Sequence, residues 1–338
     1  DQFQIPFIAI TGSNGKTTTK ELIRTVLSAT YTTLATEGNL NNHIGIPLTL
    51  LGIRSGVEMA VIEMGANHQH EIERYCRIVR PTHGIITNAG KAHLEGFGGI
   101  EGVRKGKGEL FDHLRAHGGT AFICGDFDYF REMSRGIAAV QWYGTGQDND
   151  LRGKVTGADP FLSVETDYTG KISTRLIGDY NLYNILAAVT VGRYFKVPAP
   201  AVAAAIASYQ PQNARSQFIK SGDNDFILDA YNANPSSMQA AIANFASLAA
   251  PHKVLMLGAM MELGDQSIAE HQKLIEVIGQ YLWDEVVLVG GDFARVSHPY
   301  QYLEDALCAK KWLADQHFKG ATILVKGSRR IAMEKILP

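Results

Sequence analysis

Ile5-Pro6-Phe7-Ile8-Ala9-Ile10-Thr11-Gly12-Ser13-Asn14-Gly15-Lys16-Thr17-Thr18 is the stretch from which the fold can be argued. Its apolar start predicts a strand over Ile5–Ile10. Leu22, Ile23, Val26 and Leu27 then share one face of a helix expected over Lys16–Tyr31. Between them, Gly12 and Gly15 let the backbone turn tightly and aim its N–H groups inward. With the helix N-terminus behind them, those groups favour an anion. Lys16 is placed to reach the β- and γ-phosphates of a nucleotide, and Thr17 to offer a hydroxyl to Mg²⁺. The spacing departs from GxxxxGK[ST], because Ile10 stands where that pattern has glycine. The shorter TGxxGKT form is still specific when a strand precedes it and a helix follows.

Outward from the loop, the chain reads as two α/β units. Its 338 residues exceed one ordinary core. Met59–Met64, Gly84–Thr87 and Thr120–Ile123 are further strand candidates among helical patterns, which argues for a mainly parallel sheet. Alternation in Leu162–Val164 and Ile172–Leu176 predicts a small antiparallel excursion. Helices are expected from Asn181 to about Phe195 and over Pro200–Tyr209.

Tyr209-Gln210-Pro211-Gln212-Asn213 reads as a linker and hinge, dividing the chain into 1–210 and 211–338. Beyond it, strands are expected at Ile227–Ala230, Val254–Leu257, Val286–Val289 and Thr322–Val325. Helices are expected at Ser236–Ala249, Ser267–Tyr281 and Glu304–Gln316, the first capped by Ser236 or Ser237. The fold class is α/β: a mainly parallel phosphate-loop ATPase domain, then a Rossmann-like domain without GxGxxG.

Composition narrows the function. A net charge of −2 gives no reason to expect nucleic acid or an anionic membrane as partner. No apolar run approaches the ~20 residues of a membrane span, and no signal-peptide pattern precedes the first strand. Cys76, Cys124 and Cys308 are scattered and form no metal or disulfide pattern, so they read as packing residues of a cytoplasmic chain.

Three more residues invite chemistry. Glu63 ends the apolar run Val61-Ile62, where open α/β sheets bind ligands, and beside a phosphate loop it is a candidate Mg²⁺ ligand. His93, in Ala92-His93-Leu94-Glu95-Gly96, reads by itself as a capping or core histidine. Lys107, in Gly106-Lys107-Gly108-Glu109, reads by itself as a solvated helix lysine.

TGSNGKTTTKE, EGNLNNHIGIP, VIEMGANHQHEI, NAGKAHLEGFG, KGKGELF, DAYNANPSSM, MMELG and LVKGSR together resemble the Mur ligase family, over residues 5–331. The resemblance implies an ATP-dependent ligase. It activates a carboxylate as an acyl phosphate and joins it to an amine. Within the family the motifs sit nearest those that add D-alanyl-D-alanine to UDP-MurNAc-tripeptide. ATP would be bound by Gly12, Ser13, Asn14, Gly15, Lys16, Thr17, Thr18, Asn181, Asn184, Arg215, Asp229 and Tyr231. Two Mg²⁺ ions would be held by Thr17, Glu63, His93 and Lys107, the last as a carbamate. Lys16, His93 and Lys107 would be catalytic. Asn232, Lys326, Ser328 and Arg329 would face the amine substrate.

Tyr180, Ala214 and Ala259 stand where the family more often has His, Gly and Asp. The family also has a preceding domain for the UDP end of the substrate. A chain starting at the ATP-binding domain therefore reads as a fragment lacking it, expected to be a monomer. The resemblance also implies roles in cell-wall synthesis, cell shape and division. Two rivals are another amide ligase, such as a folylpolyglutamate synthase, and a phosphate-loop ATPase without ligase activity.

Overall fold

The computed structural model describes residues 3–212 and 214–337. Asn213, the last residue of the expected linker, lies outside the described residues. The first sheet contains β1 (Phe7–Thr11), β2 (Thr33–Ala35), β3 (Met59–Glu63), β4 (His83–Ile86), β5 (Thr120–Cys124), β6 (Ala139–Gly144), β7 (Leu151–Ala158), β8 (Leu162–Thr166) and β9 (Gly170–Ser173). Their order is β2-β3-β1-β4-β5-β6-β7-β8-β9. Pairings from β2 to β7 are parallel, and β7-β8-β9 are antiparallel. β3 and β5 are buried throughout and β1 nearly so, because helices cover both faces of a parallel sheet. Strand order reverses at β1: the chain runs out to β2 and β3 on one side, then to β4 on the other. The loop after β1 therefore opens into the crevice where such sheets bind ligands.

The second sheet contains β10 (Gln217–Ser221), β11 (Asn224–Asp229), β12 (His252–Gly258), β13 (Glu285–Val289), β14 (Gln301–Leu303) and β15 (Ala321–Lys326). β15 inserts between β11 and β12, giving β10-β11-β15-β12-β13-β14. This places Asp229 opposite Lys326 at the carboxyl ends of two central strands. The α/β class and both sheets agree with expectation, as does the antiparallel excursion.

Several local expectations are corrected. The Lys16–Ser28 helix stops short of Tyr31, whose hydroxyl donates instead to the carbonyl of Phe195 at 2.7 Å. The N-cap of the Pro235–Ser247 helix is Asn234, not Ser236 or Ser237. Pro235 has no N–H to lose and takes the first helical position, which puts the cap at the residue before it. Asn234 accepts from the Ser237 backbone N–H, and the Ser237 hydroxyl accepts from that of Asn234, closing a reciprocal box. The Ala306–Gln316 helix begins after Asp305, whose carboxylate accepts from Leu307 and Cys308 N–H. Cys76 and Cys124 are buried, and burial pushes both thiols up to about 12; Cys308 is exposed and does not pack.

Candidate active site

The phosphate loop is folded against the turn that follows β4. Ser13 N–H donates to Asn88 O at 2.9 Å and Asn14 N–H to Asn88 Oδ1 at 3.0 Å. The Ser13 hydroxyl donates to Gly90 O at 2.8 Å and that of Thr87 to Asn14 O at 2.6 Å. Gly15 is left-handed at φ 80°, and a Cβ there would lie 2.5 Å from Asn184 Oδ1. Asn184 is fixed in turn: its Nδ2 donates to Asn181 Oδ1 at 2.8 Å, and its Oδ1 accepts from Thr19 at 3.0 Å. The asparagine pair thus braces the loop from behind. Lys16 curls over the loop, donating to Gly12 O at 2.7 Å and Ser13 O at 3.1 Å. Desolvation lowers its pKa to about 8, with Glu63 opposing the fall and Arg215 adding to it.

Beside Lys16, at the end of β3, Glu63 is buried at 1% exposure. Its Oε1 accepts from Asn41 Nδ2 at 2.7 Å, and its Oε2 is buried without a partner. Lys107 is corrected most sharply. It lies inside the Ile100–His117 helix at 1% exposure rather than on a solvated face. Its Nζ donates to Ala66 O at 2.9 Å and stands 4.9 Å from the Phe97 ring centroid. Burial, reinforced by Lys16, holds its pKa well below the usual lysine range against the pull of Glu71 and Glu109. Burial thus favours the neutral amine, the nucleophilic form, over the ammonium.

His93 caps the short Leu94–Phe97 helix in a left-handed conformation, and its Nδ1 is hydrogen-bonded to the Glu262 carboxylate of the second domain. Among the described residues, no three His, Cys, Asp or Glu side chains cluster closely enough to hold a metal by themselves.

The second domain brings a charged wall. Asp229 and Lys326 pair at 2.5 Å, and Lys326 also donates to Asn232 O at 3.2 Å. Ser216 N–H donates to Asp229 at 3.2 Å, and Tyr180 shares a 2.9 Å hydrogen bond with the Ser216 hydroxyl. Tyr180 thereby joins the two domains. Arg215 stacks 3.6 Å from the Tyr231 ring centroid, with Arg329 on the same ring at 5.5 Å. Further ties across the cleft are Asn234 Nδ2 to Asn14 Oδ1 at 2.8 Å and Lys91 to Glu270 at 2.7 Å. Burial pushes the Glu270 carboxyl up, but Lys91 and Lys273 outweigh it and hold it below its ordinary value.

These groups enclose one cleft of about 1050 Å³. Ser13 to Thr18, Glu63, His93, Asn181, Asn184, Arg215, Asp229, Tyr231, Asn232, Lys326 and Arg329 all line it. Lys107 does not reach its surface but is bonded to Ala66, which does. Ser328 is buried off the cleft, its hydroxyl unpartnered. Asn41, Glu262 and the Lys91–Glu270 pair were not picked out from the sequence. Asn41 and Glu262 sit inside quoted motifs, but their partners lie 22 and 169 residues away.

The Mur ligase middle domain matches residues 10–192, and the Mur ligase glutamate ligase domain residues 214–329. The UDP-N-acetylmuramoyl-tripeptide–D-alanyl-D-alanine ligase of Bacillus subtilis is 36% identical over 351 residues, spanning 98% of this chain and 74% of that protein. The crystal structure of MurF from Acinetobacter baumannii superposes with a TM-score of 0.87 at 32% identity, over 98% of this chain and 76% of that one. MurF from Thermotoga maritima, in complex with ADP, gives a TM-score of 0.89 at 26% identity, over 99% and 79%. The chain belongs to the Mur ligase family.

Proposed function

We propose that this chain is an ATP-dependent peptide ligase of peptidoglycan precursor synthesis, adding D-alanyl-D-alanine to UDP-MurNAc-tripeptide through an acyl phosphate. The observation that carries the reading is the single cleft walled by the phosphate loop, Glu63 and His93 on one side and by Arg215, Asp229 and Lys326 on the other. The loop N–H groups and Lys16 would bind the phosphates of ATP. The substrate carboxylate attacks the γ-phosphate, ADP leaves, and the amine then displaces phosphate from the acyl carbon. The first step brings two anions together, and Lys16 and Arg215 offset that repulsion. Asn232, Lys326 and Arg329 would present the amine. Ser328 would act through the fold of its loop, since its side chain is off the cleft.

The donor set fits Mg²⁺. Glu63 carries a buried, unpartnered oxygen. His93 keeps Nε2 available, because Glu262 holds Nδ1 and so fixes the ring. Lys107 as an amine does not fit a cation, but its neutral nitrogen can attack CO₂. A C–N bond forms, a proton is lost and a carboxylate-like anion results, which does fit. Thr17 and Glu63 would hold one ion, and His93 with the carbamate the other. When bound, Mg²⁺ supplies charge neutralisation at the phosphate oxygens. Closure of the second domain about the linker near Pro211 would exclude water from the acyl phosphate. A reaction drawing on ATP and a UDP-linked precursor belongs in the cytoplasm, upstream of wall growth, cell shape and division.

ADP release tests the proposal directly. It should require both UDP-MurNAc-tripeptide and D-alanyl-D-alanine and vanish in Lys16→Ala. Turnover indifferent to the amine would instead favour an ATPase. For Lys107, a ¹³C-carbamate signal is expected with labelled bicarbonate and should be absent from Lys107→Met.

A further inference from the structure

Asn41 belongs to the EGNLNNHIGIP stretch, to which the proposed reaction assigns no role. It stands next to a carboxylate in the cleft, Glu63, with a buried, unpartnered oxygen. Its Nδ2 donates to Glu63 Oε1 at 2.7 Å, leaving Oε2 as that free atom. The loop bearing Asn41 is held tightly. Gly65 N–H donates to Asn41 O at 2.8 Å, and a Cβ on Gly65 would lie 2.8 Å from the Asn41 amide. Thr36, at the start of the same loop, accepts from Glu63 N–H at 3.0 Å through its hydroxyl. Lys20, fully buried on the helix that follows the phosphate loop, donates to Thr36 O at 2.5 Å and pairs with Glu21 at 2.8 Å.

A rigid path therefore runs from the phosphate-loop helix through Lys20 and the 36–41 loop to one oxygen of Glu63. A carboxylate rotates about its last bond with little resistance. A donor on Oε1 removes that freedom and fixes which oxygen faces the cleft.

We propose that Asn41 is a positioning residue, which locks Glu63 by its Oε1 so that Oε2 is presented to a divalent cation. The inference rests on the reading of Glu63 as a metal ligand given above. Its strength follows from the general behaviour of groups that orient metal ligands, whose loss costs about 10- to 100-fold in metal affinity.

The test is Mn²⁺ binding to the full chain in the presence of ADP, read by electron paramagnetic resonance. It compares wild type with Asn41→Ala, Asn41→Asp and Glu63→Gln, and ADP binding in EDTA is measured alongside. Asn41→Ala should weaken Mn²⁺ about 10-fold or more, while ADP binding in EDTA stays within about twofold. Asn41→Asp, which puts an acceptor against Glu63, should disturb Mn²⁺ binding as well without unfolding the chain. If Asn41→Ala binds Mn²⁺ like wild type while Glu63→Gln does not, the positioning role is wrong and the metal reading stands. If Glu63→Gln itself binds Mn²⁺ like wild type, the metal reading falls and this inference with it. Equal losses of Mn²⁺ and EDTA-ADP binding, with a lowered melting temperature, would reduce Asn41 to a structural residue.

Discussion

Replacing Lys16 by methionine is expected to make the protein more stable and unable to hold nucleotide. Methionine keeps the length and apolar stem of lysine and removes the charge. Burial brings the Lys16 pKa from the ordinary 10.5 to about 8. At about 1.4 kcal/mol per pH unit, holding that ammonium in the folded cleft costs about 3 kcal/mol at neutral pH. Part of the side chain still meets solvent, which lowers the figure. Methionine also gives up the hydrogen bonds to the Gly12 and Ser13 carbonyls, each worth about 1 kcal/mol. The net gain is at most about 1 kcal/mol, or about 2–4 °C in melting temperature for a domain of this size. The pH dependence gives the effect a signature. Because the folded pKa lies below the unfolded one, the wild-type penalty is complete below about pH 8 and fades as pH rises from there toward 10.5. Urea and thermal unfolding of both proteins at pH 7, 8, 9 and 9.5 should therefore show a gap that narrows above pH 8. ADP should raise the melting temperature of wild type alone. A variant less stable than wild type at pH 7, or a gap equal at pH 7 and pH 9.5, would refute the reasoning.

Asp229→Asn leaves the 2%-exposed Lys326 without its counter-charge; the second domain should lose about 3 kcal/mol in denaturant unfolding, with the first transition unmoved. Gly15→Ala places a methyl group against Asn184 in a left-handed backbone, so calorimetry should find ADP binding abolished and the first domain destabilised by about 1–3 kcal/mol. Nucleotide phosphates restore a counter-charge to Lys16, so ADP binding at about pH 9 should take up protons. Titration calorimetry in buffers of different ionisation enthalpy measures that uptake, and a zero proton count would contradict it.

What the sequence discloses tracks how local the signal is. β1, β3, β5 and β12 are apolar runs bounded by turns and were found within a few residues of their ends. β2 and β14 are three residues each, and β6 and β10 are half-exposed without alternation, so no periodicity marks them; β7 alternates, but Gly153 stands in its inward row and weakens the signal. The phosphate loop was readable because its chemistry is confined to a few successive residues. Lys107 falls on the apolar stripe of its helix, with Val103, Leu110, Phe111 and Leu114, so its burial is legible; its partner, the Ala66 carbonyl 41 residues away, is not. Gly106 beside Lys107 lets Phe97 pack closely, since a Cβ there would lie 2.5 Å from the ring. His93 shows the same limit: the carboxylate that fixes its ring is supplied by the other domain.

The amide of Asn234 has one further consequence. Its oxygen caps the Pro235–Ser247 helix, and its nitrogen grips Asn14 of the phosphate loop. The two ends serve different masters and can be separated. A ligand that draws the Asn14 side chain away breaks the second bond, at about 1 kcal/mol, and leaves the cap intact. The helix keeps its start whether or not the loop lets go. At this contact loop and helix can thus part and rejoin like a latch, at the cost of that one bond and with the helix start undisturbed.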